Sequence, residues 1–188
     1  MKNVLSAIEK YNKLSDDDKK LLLDKLEPVR LKKGETLIHE LEKSPYFYFI
    51  EEGAVKTNYI DEKGNKKVVW FGFEKDICFS QSAYFNVEYV NETIELLEDT
   101  LFYRVKIKEI KELYNQYCSW ANWGRNFIEF HFTETIKEMD EYKSRKTKDR
   151  YIDLINNKPH IHMRVPLKEI ASYLGVSAVT ISRLRKEL

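Results

Sequence analysis

"PLKEIASYLGVSAVTISRLRKEL", residues 166–188, sets three residues in a fixed frame: Ala171, Gly175 four positions on, and Ile181 six beyond that. The stretch from Leu167 to Leu174 reads as a first helix, with Pro166 at its start, where a missing N–H breaks no bond. Gly175 suits the left-handed backbone that turns one helix sharply into the next. Ser177 is placed to N-cap a second helix whose inward residues are Val176, Ile181 and Leu184. Ala171 must stay small because the second helix crosses close above it. That spacing is what a helix-turn-helix requires, and the second helix of such a pair reads a DNA groove.

Charge supports the same reading. Residues 143–188 hold eleven Lys/Arg against four Asp/Glu, net +7, which leaves 21 basic against 27 acidic residues, net −6, for the rest of the chain. The tail therefore seeks a polyanion that the acidic body repels.

Upstream of the tail, 43% hydrophobic and 13% aromatic residues are enough for a well-buried core. No apolar run approaches the roughly 18 residues of a membrane span. The opening "MKNVLSAIEKYNKLSDDDKK" has neither the apolar stretch nor the cleavage site of a signal peptide, so a cytoplasmic protein without membrane contact is expected. Cys78 and Cys118 stand far apart without CxxC or Cys/His spacing and read as ordinary thiols, too few for an iron–sulfur cluster.

Ser15-Asp16-Asp17-Asp18 starts a short helix that Pro28 is expected to close. From Val29 to Arg104, β-branched and aromatic runs alternate with turn signals at Lys33-Gly34, Glu52-Gly53 and Lys63-Gly64-Asn65, the texture of a compact all-β segment. A short helix follows over 106–114, then a long Gly-poor, Pro-free helix over 117–142, spanning ~37 Å at ~1.5 Å per residue. Its apolar residues Trp120, Trp123, Phe127 and Phe130, with Ile128, Phe132, Ile136 and Met139, fall on more than one face. One face packs on the β segment; the surplus face, assigned to Trp120, Trp123, Phe127, Phe130 and Met139, predicts a two-fold homodimer seam. A basic helix ending at Asn156-Asn157 follows, with Tyr151, Leu154 and Ile155 inward, and "HIHMRV" (160–165) reads as a short extended piece.

The tail resembles the helix-turn-helix of the Crp/Fnr family of bacterial transcription regulators. "RLKKGETLI" (30–38), "IEEGAVKTNYI" (50–60) and "DEKGNKKVVWF" (61–71) are similar to that family's barrel signatures. The resemblance implies an α+β fold: a cyclic-nucleotide-binding-like double-stranded β-helix, or jelly roll, as sensory domain over 1–116, a dimerisation helix over 117–142, and a winged-helix-like DNA-binding domain over 143–188. The wing would be truncated, since the sequence ends at Leu188. It implies a palindromic double-stranded DNA operator, RNA polymerase as a further partner, and no enzymatic activity. By similarity, Ser177 and Thr180 touch phosphates, Ala178, Val179 and Arg183 face base edges, Lys168 contacts phosphate, and Lys186 completes the set.

The effector region departs from the family. Members that bind cyclic nucleotides carry Phe-Gly-Glu and, some ten residues on, Arg-Ser or Arg-Thr that neutralises the cyclic phosphate. Here Phe79-Ser80-Gln81 and Asn91-Glu92 occupy those places. No basic residue lies between Lys75 and Arg104, while Asp76, Glu88, Glu92, Glu95, Glu98 and Asp99 supply carboxylates. A phosphate there would be desolvated without a counter-charge, so cyclic AMP is not expected to bind and no cofactor is expected. A barrel acting as a small-molecule or protein-binding module remains an alternative. A metal-dependent cupin enzyme would need two or three inward histidines, and His39 is the barrel's only one; haem would have only His39 or Cys78 as ligand.

Overall fold

The computed structural model describes residues 1–40, 42–62, 64–88 and 91–187, the side chains of residues 141–143 excepted. Lys63 of the third turn signal, the boundary residue Tyr142 and the terminal Leu188 thus lie outside the described side chains. Two antiparallel four-stranded sheets face each other. One runs β1 (Glu27–Leu31), β8 (Thr100–Lys106), β3 (Tyr46–Glu52), β6 (Ile77–Phe79); the other runs β2 (Thr36–Ile38), β7 (Glu92–Leu96), β4 (Val55–Ile60), β5 (Lys66–Gly72). Leu37, Ile38, Tyr48, Ile50, Val55, Ile94, Leu96 and Phe102 fill the space between them. The all-β segment is the one the strand texture announced, and its jelly-roll form is the one the resemblance implies.

Gly53 makes the β3–β4 turn tight. Its φ is +109°, and a Cβ there would lie 2.4 Å from the Thr100 hydroxyl oxygen, so only glycine lets the chain pass. A five-residue helix, α3 (Gln81–Phe85), interrupts the sandwich between β6 and β7.

Helices α1 (Lys2–Glu9) and α2 (Asp16–Leu23) precede the sandwich. Ser15 caps α2 by accepting the Asp18 amide at 3.1 Å, as the sequence indicates, but the helix ends at Leu23 and Pro28 lies inside β1. β1 is an edge strand, where proline's missing N–H costs no ladder bond. α1, for which the sequence reading made no provision, presents its first amides to Glu51, with Asn3 and Val4 donating to one carboxylate oxygen at 3.1 and 3.0 Å.

α4 (Ile107–Gln116) leads into α5 (Cys118–Ser144). Trp120, Trp123 and Phe127 of α5 are 0% exposed. They are buried within the protomer against Val4, Ala7, Ile8 and Tyr11 of the α1 region, Leu22 of α2, and Phe47 and Phe49 of β3. Their placement is a correction to the expected seam. The indole N–H of Trp123 donates to the Ile8 carbonyl at 2.7 Å and that of Trp120 to the Asp18 carbonyl at 3.0 Å. The N-terminal helices thus cover the face assigned to a partner subunit. Phe130, Phe132, Ile136 and Met139 keep 39, 66, 51 and 58% exposure.

The tail comprises α6 (Thr147–Asn157), α7 (Ile161–Arg164), α8 (Leu167–Leu174) and α9 (Ala178–Lys186). The segment read as extended is the helical turn α7. Its Ile161 is fully buried, and the Val165 amide closes on the Ile161 carbonyl at 2.9 Å.

Candidate nucleic-acid interface and effector pocket

α8 and α9 meet as the sequence frame requires. Gly175 is left-handed at φ +72°, and the amide of Val176 returns to the Ala171 carbonyl at 3.0 Å. Ser177 caps α9, its hydroxyl accepting the Thr180 amide at 3.1 Å and lying 2.9 Å from the Thr180 hydroxyl. Ile170, Ala171, Leu174 and Ile181 are buried with Tyr151, Leu154, Ile161 and Val165, and Val176 and Leu184 pack half-buried against them. The opposite face of α9 is open. Ser177, Ala178, Val179, Arg183 and Lys186 are exposed, Thr180 is half-buried, and Lys168 on α8 projects with its side chain 78% exposed. Each of the seven residues expected to meet DNA is therefore at least partly accessible.

The tail's other side docks on the barrel. Ala54, Val68, Phe71 and Leu97 of the barrel belong to the same apolar cluster as the helix-turn-helix core. The Ser172 hydroxyl accepts the Val68 amide at 3.1 Å, and Lys56 lies 3.0 Å from Glu169 and 3.2 Å from Glu95. Arg164 bridges two barrel turns: it donates to Glu74 at 2.7 and 2.8 Å and to Glu98 at 2.6, 2.9 and 3.2 Å. These two carboxylates hold its guanidinium firmly protonated. No local pattern points to Arg164, because its partners lie 66 and 90 residues away.

Between the second sheet, α3 and α5 lies a cavity of about 500 Å³. Phe79, Gln81 and Glu92 line it together with Trp70, Ile94, Phe127 and Phe132. Ser80, standing where the resemblance places glycine, is 1% exposed and caps α3 by accepting the Ala83 amide at 3.3 Å, while its hydroxyl donates to the Glu42 carbonyl. Glu92 is 7% exposed and accepts the Gln81 amide at 2.8 Å. Burial pushes its carboxyl above the ordinary glutamate range, a rise that the Gln81 hydrogen bond only partly opposes. The side-chain oxygen of neighbouring Asn91 is buried without a partner.

Cations from outside the segment neutralise several of its other acids. Glu95 meets Lys56 and Lys66, Asp99 meets Lys32, and Glu98 meets Arg164. Among the acids of this segment, Glu92 is the one that lines the cavity, and its carboxylate already holds the α3 amide; Glu138 of α5 lines it as well.

Comparison with known proteins agrees with this architecture. The family model of the cyclic nucleotide-binding domain matches residues 28–117. A cAMP-dependent protein kinase regulatory subunit from Eremothecium gossypii is 35% identical over 68 residues, 35% of this chain and 15% of that protein. Among solved structures, a putative transcriptional regulator of the Crp/Fnr family from Eubacterium rectale superposes with a TM-score of 0.71 at 19% identity, covering 94% of this chain and 84% of that one. FixK2 from Bradyrhizobium japonicum gives 0.71 at 18% identity, covering 87% and 84%. The catabolite activator protein of Thermus thermophilus gives 0.61 at 14%, covering 97% and 86%. Residues 28–117 thus match the cyclic nucleotide-binding domain, and the chain as a whole has the fold seen in a Crp/Fnr-family regulator and in FixK2.

Proposed function

We propose that the chain is a homodimeric DNA-binding transcription regulator of Crp/Fnr type that does not use cyclic AMP. The observation that carries this reading is α9: a capped helix whose buried Ile181 locks it on α8 and whose outward face offers Ala178, Val179, Arg183 and Lys186. Ala178 and Val179 carry no hydrogen-bonding group and suit a thymine methyl, while the fork of Arg183 matches guanine O6 and N7. The apolar stripe Phe130, Phe132, Ile136 and Met139 on α5 supplies the seam, which would place two α9 helices on half-sites one helical turn, ~34 Å, apart.

Gel shifts with double-stranded fragments from upstream of its own coding region test the reading directly. A shift that survives excess nonspecific DNA and selects a palindrome is expected; its absence on every fragment refutes the reading. Calorimetry with cyclic AMP at millimolar concentration should give no saturable heat, because Glu92 and Asn91 stand where a counter-charge is needed.

A further inference from the structure

A second cavity, of about 700 Å³, opens between β5, the middle of α5 and the α6–α7 segment of the tail. Lys158, just beyond α6, turns its ammonium into this cleft. It donates to the Phe71 carbonyl at 2.6 Å and lies 5.1 and 5.8 Å from the ring centres of Phe73 and Trp70. Most other charges along the cleft have partners: Arg164 pairs with Glu74, Lys10 lies 3.6 Å from Asp76, Glu134 pairs with Lys137 at 2.8 Å, and Glu138 accepts from the Tyr173 hydroxyl at 3.3 Å, while Lys75 stands at the exposed rim. Lys158 has no carboxylate within 4 Å among the described residues, and burial lowers its pKa from the ordinary lysine range. A desolvated ammonium in that position gains from an arriving anion.

Phe71, Phe130, Leu154, Ile161 and Tyr173 add apolar lining beside the polar Asn3, His131, Thr135, Asn157 and His160, and the cleft has more room than a bare ion needs. Asp76, Glu134 and Glu138 also line the cleft and repel each added negative charge, which favours a monoanion over a dianion. We propose that this interdomain cleft, rather than the barrel cavity, is the effector site, and that it takes a small organic carboxylate with an apolar body. Its carboxylate pairs with Lys158 and its body lies among the aromatic rings. Because the walls come from the barrel, α5 and the tail, a bound molecule favours the docked arrangement of all three. The proposal adds an effector chemistry to the regulator reading, and its test uses no DNA, so the two fail separately.

The test is a titration of sodium benzoate into the full chain at fixed ionic strength, followed through the three tryptophan indole N–H resonances. Trp70 lines both the cleft and the barrel cavity, so a shift that Lys158→Gln leaves undiminished assigns the ligand to the barrel cavity and overturns the proposal; Trp120 and Trp123 are fully buried with their N–H groups donated to carbonyls. The Trp70 signal should shift saturably with a Kd of about 1 mM or tighter, leaving the other two in place. Benzamide, equal in shape but uncharged, should bind at least about tenfold more weakly, and Lys158→Gln should weaken benzoate by a similar factor. No Trp70 shift, or equal binding of benzoate and benzamide by the wild type, overturns the proposal even if Lys158→Gln fails to fold. Inorganic phosphate binding as well as benzoate overturns the requirement for an apolar body.

Discussion

Replacing Arg164 by alanine should loosen the tail from the barrel while each remains folded. The guanidinium makes five contacts of 2.6–3.2 Å to Glu74 and Glu98, and the three side chains are 22, 26 and 30% exposed. Removing one member of a fully buried pair costs ~3–5 kcal/mol, because the remaining charge stays desolvated. Here about a quarter of the surface is wet and Glu74 keeps the Gly53 amide at 2.9 Å, which discounts the cost to ~2–3 kcal/mol. Against that, the alanine variant leaves two carboxylates facing each other without a cation. At ~1.4 kcal/mol per decade, the undocked population rises roughly 30- to 140-fold. The Val68 amide, held across the junction by the Ser172 hydroxyl, reports undocking through hydrogen exchange and should accelerate by the same factor. Glu98→Gln should give a smaller acceleration, since Arg164 retains both bonds to Glu74. An acceleration below ~3-fold in Arg164→Ala would refute the reasoning, because the bridge would then contribute no more than an exposed ion pair.

The long helix should separate folding from assembly: Trp123→Ala costs ~3–5 kcal/mol of stability, whereas Phe132→Glu with Met139→Glu leaves the thermal midpoint almost unchanged and yields monomers by sedimentation. A wild type that is itself monomeric at micromolar concentration ends that idea. Glu92→Gln should raise the Tm at about pH 8 and lose its advantage near pH 4. The sign follows from a folded pKa held above the unfolded one by burial: the wild type has full support below the ordinary glutamate range and loses it as pH rises through the folded value. A Tm difference independent of pH would contradict this. On the cognate DNA site, Arg183→Ala should cost ~1–3 kcal/mol and relax preference at one G·C pair, while Lys168→Ala weakens all sequences alike and lowers the salt slope by ~1. An unchanged base preference in Arg183→Ala would make it a backbone contact.

The parts of the molecule that sequence made legible are those whose determinants are local. The helix-turn-helix follows from Ala171, Gly175, Ser177 and Ile181, each constrained by a neighbour within ten residues, and all four occupy the places so deduced. The strand runs and glycine turns of the jelly roll are equally local. The errors have one origin in long-range partners. With α1 unrecognised, the tryptophan face of α5 had nothing to pack on and was assigned to another subunit; the carbonyls of Ile8 and Asp18 that receive those indoles lie 115 and 102 residues away. Likewise, the acidic surplus near the cassette looked uncompensated because Lys32, Lys56, Lys66 and Arg164 come from elsewhere in the chain. Ser80, Gln81 and Glu92 stand out through the resemblance, but that the carboxylate of Glu92 accepts the Gln81 amide is visible only in three dimensions.

The contact of Ser172 with Val68 has a consequence for solubility. β5 is the outer strand of its sheet, and its sequence, "KKVVWFG", is rich in the β-branched and aromatic residues that recruit a further strand. α8 lies against it, and the Ser172 hydroxyl takes up an edge amide that would otherwise be offered to another chain. A truncated barrel ending at Ser144 would bare that edge together with Val68 and Phe71, and such a fragment should self-associate through β5 where the whole chain does not. The tail thus serves as the sandwich's protection against edge-to-edge aggregation, independently of anything its outer face reads.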